Sequence, residues 1–400
     1  LDDPAIDSAS ELARDEGQKL RRAALIFVVL FGVISLFADM TYEGARSISG
    51  PFLATLGASG TIVGIVSGFG ELMGYGLRLV SGRLSDRTGR YWPIALFGYF
   101  LQLPAVPLVA IATSWPVAAA FLIAERTGKA IRNPARDTMI SHASEQVGQG
   151  WGFGLHEAFD STGAMLGPLL VALAVTVSGG YRAGFVILAI PAALALLTLL
   201  RARATYPDTR VLSSDRGALP PSSLPRAFWL YLAAGACIAA GYADYPLIAF
   251  RFQRHATIES GLIPIYYAAA MGAAAAGALI VGRLFDLFGL RAIGVAIAAA
   301  ALFAPLAFYG NAVVALIGVL LWGLGLSVQD ATIRAAIAPL VSRDKRGTAY
   351  GIFDTSFGVF WFVGSVVLGV LYDVSLPALV AFSVAMQLLA LPLLIATRRA

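Results

Sequence analysis

The chain has 400 residues, 58% of them apolar and 13% charged, with net charge +5 and mean hydropathy +0.76. A soluble globular protein carries about 25% charged residues, so this chain lacks roughly half the charge that a water-facing surface needs. The figures exclude an ordinary soluble enzyme, a disordered chain and a nucleic-acid binder. They fit a polytopic helical membrane protein, since twelve spans of roughly 20 residues use about 240 apolar positions.

Residues 1–20 read as a polar cytoplasmic tail without the apolar stretch of a cleavable signal peptide. Twelve predicted spans follow, near 23–45, 60–83, 91–112, 116–138, 150–177, 182–201, 227–250, 260–283, 290–309, 312–336, 347–371 and 376–397. Gly, Pro or Arg clusters separate them. Runs such as Ala292 to Phe308 are apolar without alternation, which favours helices over the strands of a closed barrel. Residues 202–226 are polar and hold Pro207, Pro220, Pro221 and Pro225. They read as a cytoplasmic linker between a 21–201 bundle and a 227–400 bundle. The single cysteine, Cys237, excludes an intramolecular disulfide, and three scattered histidines give no dedicated metal site.

Topology follows from Lys and Arg. With the N-terminus inside, the inner segments carry Lys19, Arg21, Arg22, Arg83, Arg87, Arg90, Arg201, Arg203, Arg283, Arg291, Arg343, Lys345 and Arg346. The outer segments carry only Arg182, Arg251 and Arg254, with Arg46 near the boundary. Both termini are therefore expected in the cytoplasm, with the protein in the inner membrane. The basic excess reads as orientation and contact with lipid headgroups.

The halves repeat. Gly82-Arg83-Leu84-Ser85-Asp86-Arg87-Thr88-Gly89 and Gly282-Arg283-Leu284-Phe285-Asp286-Leu287-Phe288-Gly289 share five of eight positions at an offset of 200. Gly150, Gly154, Glu157 and Gly167 match Gly347, Gly351, Asp354 and Gly364 at an offset of 197. Ala38-Asp39 pairs with Ala243-Asp244. Such repeats mark secondary transporters, whose site lies between the halves near mid-membrane.

The first repeated element, with Gly82, Leu84, Asp86, Arg87, Gly89 and Arg90, resembles the loop signature of the major facilitator superfamily. The resemblance implies an all-α fold of twelve transmembrane helices in two pseudo-symmetric six-helix bundles. It also implies a conformational latch at Gly82, Asp86, Arg87, Gly89 and Arg90, with a weaker copy at Gly282, Asp286 and Gly289. A plain turn with surface charges is the simpler reading of the same residues. Gly154, Gly163, Gly167 and Pro168 resemble the fifth-helix motif of proton-driven exporters in that superfamily, although Val171 replaces its last glycine. Ordinary close packing explains the same glycines. Arg126 stands where proton-coupled members have an arginine, but Ala130 replaces the glycine four residues on.

Ionisable groups inside a bilayer cost about 2.5–3.5 kcal/mol each on insertion scales, so they face a cavity or a partner. Here they are Asp39 and Glu43 beside Tyr42, then Glu71 and Arg78, then Glu125, Arg126 and Lys129, then His156, Glu157 and Asp160. The second half adds Asp244, Asp330, Arg334 and Asp354. At about 1.5 Å per residue from Trp115, Arg126 lies about 16 Å deep and Lys129 about 21 Å. Arg136 falls near 31 Å, so Arg132 and Arg136 are expected at the interface, with Pro134 bending the chain there. Proton coupling or cargo binding is one reading of the set, and fixed struts between helices the other.

The leading expectation is a monomeric, proton-coupled exporter of a small molecule, without a cofactor. An importer or facilitator of an anionic metabolite, clamped by Arg126 and Lys129, is the alternative. A divalent-metal exporter using Asp39, Glu43, His156 and Glu157 is a weaker one. An enzyme acting on lipid would need an Asp-rich metal motif or a nucleophile–base set, and neither is visible.

Overall fold

The computed structural model describes residues 4–207, 224–329 and 346–397. The first half comprises α1 (Pro4–Thr55), α2 (Gly60–Thr88), α3 (Tyr91–Leu108), α4 (Trp115–Val147), α5 (Gln149–Ser178), α6 (Tyr181–Ile187) and α7 (Ala189–Thr205). The second comprises α8 (Arg226–Gly241), α9 (Tyr245–Arg254), α10 (Ile263–Phe288), α11 (Leu290–Ala300), α12 (Phe303–Tyr309), α13 (Ala312–Ser327), α14 (Arg346–Val374) and α15 (Leu376–Thr397). The pairs α6–α7, α8–α9 and α11–α12 each make one crossing, giving twelve. Most of the expected linker, and Asp330, Arg334, Arg343 and Lys345, lie outside the described residues.

Local sequence sets the ends. Ser59 caps α2 by accepting from Ile62 N–H at 3.2 Å, and Asn311 caps α13 through Val314 N–H at 3.1 Å. Gly89 and Gly289 close α2 and α10 with φ of 59° and 60°. A positive φ favours glycine, and it recurs 200 residues apart, although ψ is 18° at Gly89 and −140° at Gly289.

Nine crossings among the described residues are long and apolar enough to span a bilayer, and α13 is a shorter apolar one. The exceptions are α2 and α4, whose charged residues, Glu71 and Arg78 on one and Glu125, Arg126, Lys129, Arg132 and Arg136 on the other, interrupt the apolar run. Their neighbours shield them: α3 packs on α4, and α14 runs along α2. Phe97, Leu173, Leu279 and Val295 are exposed on the outside, as lipid-facing side chains are.

Two contacts mirror each other across the repeat. A Cβ at Gly167 would collide with the Met40 carbonyl on α1, and one at Gly364 with the Ala240 carbonyl on α8. Met40 therefore corresponds to Ala240. This corrects the expected match of Asp39 with Asp244, which lies more than a turn further along. Asp39 sits inside continuous α1, whereas Asp244 ends a break at Tyr242–Asp244 and caps α9 through Tyr245 N–H at 2.9 Å. Carbonyls freed by the break are satisfied by protein. Trp322 Nε1 donates to Ala243 O at 2.9 Å, and Ser383 Oγ to Gly241 O at 2.6 Å.

The bundles meet at the end remote from the termini. Gly50 abuts Pro246, and Gly64 abuts Ser365. Asp373 on α14 accepts from the N–H groups of Gly60 and Thr61 at 2.9 and 2.7 Å. Thus one α14 carboxylate clasps the start of α2.

Candidate functional site

Between the bundles lies a cavity of about 490 Å³. Asp39, Tyr42, Glu43 and Arg46 of α1 line it, with Glu71, Tyr75 and Arg78 of α2, Lys129 of α4, and Glu157 and Asp160 of α5. The second bundle's lining is mostly apolar: Met271, Ala274, Ala275 and Ala278 of α10, Leu326 of α13 and Trp361 of α14, with Ser327. Arg78, Glu157 and Ala278 lie nearer the termini end than Arg46, while the inter-bundle contacts at Gly50, Gly64 and Asp373 close the other end.

Helical spacing gathers these groups. Asp39, Glu43 and Arg46 fall at i, i+4 and i+7, on one face of α1. Glu125, Lys129, Arg132 and Arg136 repeat the pattern on α4. The facing rows interlock. Asp39 lies 3.8 Å from both Lys129 Nζ and Arg132 Nη2. Glu71 takes Arg126 Nη1 at 2.8 Å and approaches Arg46 at 3.6 Å. Glu125 is 3.6 Å from Arg126 Nε and accepts from Gln102 at 3.2 Å. Tyr42 offers its ring to two cations, Lys129 at 3.4 Å and Arg126 at 4.5 Å.

From these rows, two links among the described residues cross to the second bundle. Arg46 Nη2 meets Asp244 Oδ1 at 2.6 Å, and Tyr267 Oη donates to Glu43 Oε2 at 2.5 Å. Tyr267 is seated by Tyr245 and Trp322, with ring centroids 4.4 and 6.0 Å away.

Most expected site residues thus converge. His156 sits behind the cavity lining, 3.3 Å from Ser35 Oγ and 3.7 Å from Asp160. Asp354 is half-buried on α14 and does not line the cavity. Two expectations are corrected. Arg132 is fully buried, donating to Gln102 and Tyr99 at 2.5 and 3.0 Å. Arg136 is buried beside Asp137 and Asp160, at 2.8 and 3.9 Å. The reason is that α4 continues through Pro134 to Val147, so its charged face runs along the inside of the bundle. Arg46, expected at a boundary, is buried because α1 extends to Thr55. Its place seven residues after Asp39 was the available signal; for Tyr267 there was none.

The expected latch residues lie at the termini end, with Arg87 and Arg90 exposed and room at Gly82 for a Cβ, which would meet Pro134 only at 3.6 Å. The side chains of Asp86 and Asp286, and the surroundings of Gly282, lie outside the described residues. In the glycine row of α5, Gly163 packs on the Leu36 carbonyl as Gly167 does on that of Met40, with Pro168 inside the helix.

A family model of the Major Facilitator Superfamily matches residues 23–365. The chain belongs to the major facilitator superfamily. An uncharacterized protein of Mycobacterium tuberculosis is 42% identical over 379 residues, 93% of each chain. An uncharacterized MFS-type transporter of Methanocaldococcus jannaschii is 25% identical over 359 residues, 87% of this chain and 89% of that one. Among solved structures, a point mutant of the nucleoside transporter NupG aligns with TM-score 0.75 at 13% identity, over 92% of this chain and 99% of that one. An inward-facing, occupied bacterial homolog of the human lysosomal transporter Spinster aligns with TM-score 0.71 at 16% identity, over 93% and 96%. These establish the twelve-helix fold. This major facilitator protein is a multi-pass membrane transporter of a small solute, in a family of transporters rather than enzymes.

Proposed function

We propose that this transporter exports a small amphipathic solute in exchange for protons, with residues 21–201 rocking against 227–400 about the linker 202–226. One observation carries the reading. Glu43 and Arg46 belong at once to the ion-pair row around the cavity and to the links that join the bundles. A proton placed on Glu71 or Asp39 weakens its hold on Arg46, Arg126 or Lys129. That change reaches Asp244 and Tyr267 through α1, which connects protonation with closure at the far end. The Lys and Arg asymmetry supports cytoplasmic termini, so the described state opens inward and loads cargo from there. The motif around Gly82, Asp86, Arg87, Gly89 and Arg90, with Gly282, Asp286 and Gly289, would latch the cytoplasmic ends when the cavity faces outward. The site is built within one chain, which suits a working monomer in the inner membrane.

Proteoliposomes with an imposed pH gradient test the coupling. Cargo flux should follow the gradient, and Glu71→Gln or Asp39→Asn should uncouple it; flux indifferent to the gradient and to both changes defeats the reading. Arg126 and Lys129 make a poor primary anion clamp, because Glu71, Glu125 and Asp39 already occupy them. The metal reading loses its ligand set: Asp39 is held by two cations, Glu43 by Tyr267 and Arg46, and His156 by Ser35 and Asp160.

A further inference from the structure

The charges lining the cavity are not equally engaged. Arg46 and Lys129 face carboxylates, and the acids Asp39, Glu43, Glu71 and Asp160 face cations. Glu157 has an interaction of its own. Arg78 differs. Among the described residues it makes no ion pair within 4.0 Å, Glu71 acting on it only from further off, and its Nε, like that of Arg46, has no hydrogen-bond partner. Its guanidinium lies over the Tyr75 ring, 5.4 Å from the centroid.

A second unused donor lines the same cavity. Trp361 is 3% exposed, and its Nε1 has no hydrogen-bond partner. An aromatic path joins it to Arg78: Tyr75 packs edge-on against Phe357 at 5.9 Å, and Phe357 lies 5.7 Å from Trp361. Ala274, Ala275 and Ala278 line the same cavity as a smooth apolar wall. A buried donor left without an acceptor costs about 1–3 kcal/mol, which an acceptor bound in the cavity would recover.

We propose that Arg78, Tyr75 and Trp361 form the cargo subsite, and that the cargo is a small organic carboxylate with a flat apolar body. The carboxylate pairs with the Arg78 guanidinium, the planar donor best suited to it. The body slides between the aromatic path and the alanine wall, and an acceptor on it takes the Trp361 N–H. A volume of about 490 Å³ admits such a molecule. A cationic cargo finds no free acid among the lining residues just named, and a neutral one leaves Arg78 unpaired. This cargo rests on the transport reading above, but its binding is tested without a proton gradient.

The test is titration calorimetry on the purified full chain in detergent with 1-naphthoate, its neutral isostere 1-naphthalenemethanol and its cationic isostere 1-naphthylmethylamine. Naphthoate should bind at least about tenfold more tightly than either isostere, and Arg78→Gln should erase that preference. Arg78→Lys should keep part of it, and Trp361→Phe should weaken binding only a few-fold. Ala275→Trp fills the cavity without touching Arg78 and should abolish binding, which serves if Arg78→Gln fails to fold. Equal binding of the three probes, no naphthoate binding at millimolar concentration, or full affinity in Arg78→Gln or Ala275→Trp overturns the proposal. Loss of proton coupling in proteoliposomes with naphthoate binding intact would defeat the exchange reading alone.

Discussion

Arg46 Nη2 and Asp244 Oδ1 stand 2.6 Å apart, joining the middle of one bundle to the broken helix of the other, with both residues buried. The pair is unequal. Arg46 also has Glu71 at 3.6 Å and Glu43 at 3.9 Å, whereas among the described residues Asp244 has besides it only the Tyr245 N–H at 2.9 Å. Removing Arg46 strands a buried carboxylate, a loss of about 3–5 kcal/mol, while removing the Asp244 charge leaves Arg46 with two acids. Arg46→Gln should therefore lower the unfolding midpoint in detergent more than Asp244→Asn does. Equal losses would count against this asymmetry.

Tyr267 donates its hydroxyl to Glu43 from a seat between Tyr245 and Trp322. Tyr267→Phe keeps the ring and removes the donor, at a cost of about 1–3 kcal/mol to the closed far end. A cysteine introduced at Gly57, in the α1–α2 turn, should then react faster with an impermeant thiol reagent in a Cys237→Ala background. An unchanged rate would show that the link does not hold that end closed.

The glycine row of α5 divides in two. At Gly163 and Gly167 a Cβ meets the carbonyls of Leu36 and Met40, but at Gly154 it meets nothing within 4 Å. Gly167→Ala should cost about 1–3 kcal/mol through overpacking, whereas Gly154→Ala should leave thermal stability unchanged. Thermal unfolding of the two variants separates them.

Arg132 is fully buried and uses a planar fork: Nε to Gln102 at 2.5 Å, Nη1 to Tyr99 at 3.0 Å, and Nη2 toward Asp39 at 3.8 Å. Its guanidinium also lies 4.4 Å from the Tyr99 ring centroid. Lysine keeps the charge but cannot reproduce that fork. Arg132→Lys should lower stability nearly as much as Arg132→Gln, which the same unfolding measurement decides.

The sequence resolves what depends on periodicity. Apolar runs gave the twelve crossings, and duplication gave two bundles and the paired turns at Gly89 and Gly289. Buried charges were legible because so few residues in the spans are charged. Partners were not, since Tyr267 looks like any aromatic in an apolar span and gains its role only when α10 meets α1. Depth misled for Arg132 and Arg136, because a fixed rise per residue says nothing about which face of α4 is turned inward. The match of Asp39 with Asp244 failed because a two-residue identity carries no register, whereas a glycine against a carbonyl does.

The placement of charge along the chain bears on how the protein enters the membrane. The acids Asp39, Glu43 and Glu71 lie on α1 and α2, and the bases Arg126, Lys129, Arg132 and Arg136 follow on α4. During synthesis the carboxylates are already in or beside the bilayer when the basic helix emerges. With its many charges, α4 is a poor candidate to partition alone, and its earlier neighbours supply counter-charges to Arg126, Lys129 and Arg132. The same ion pairs that surround the cavity in the folded chain would thus also favour insertion of α4 beside α1 and α2.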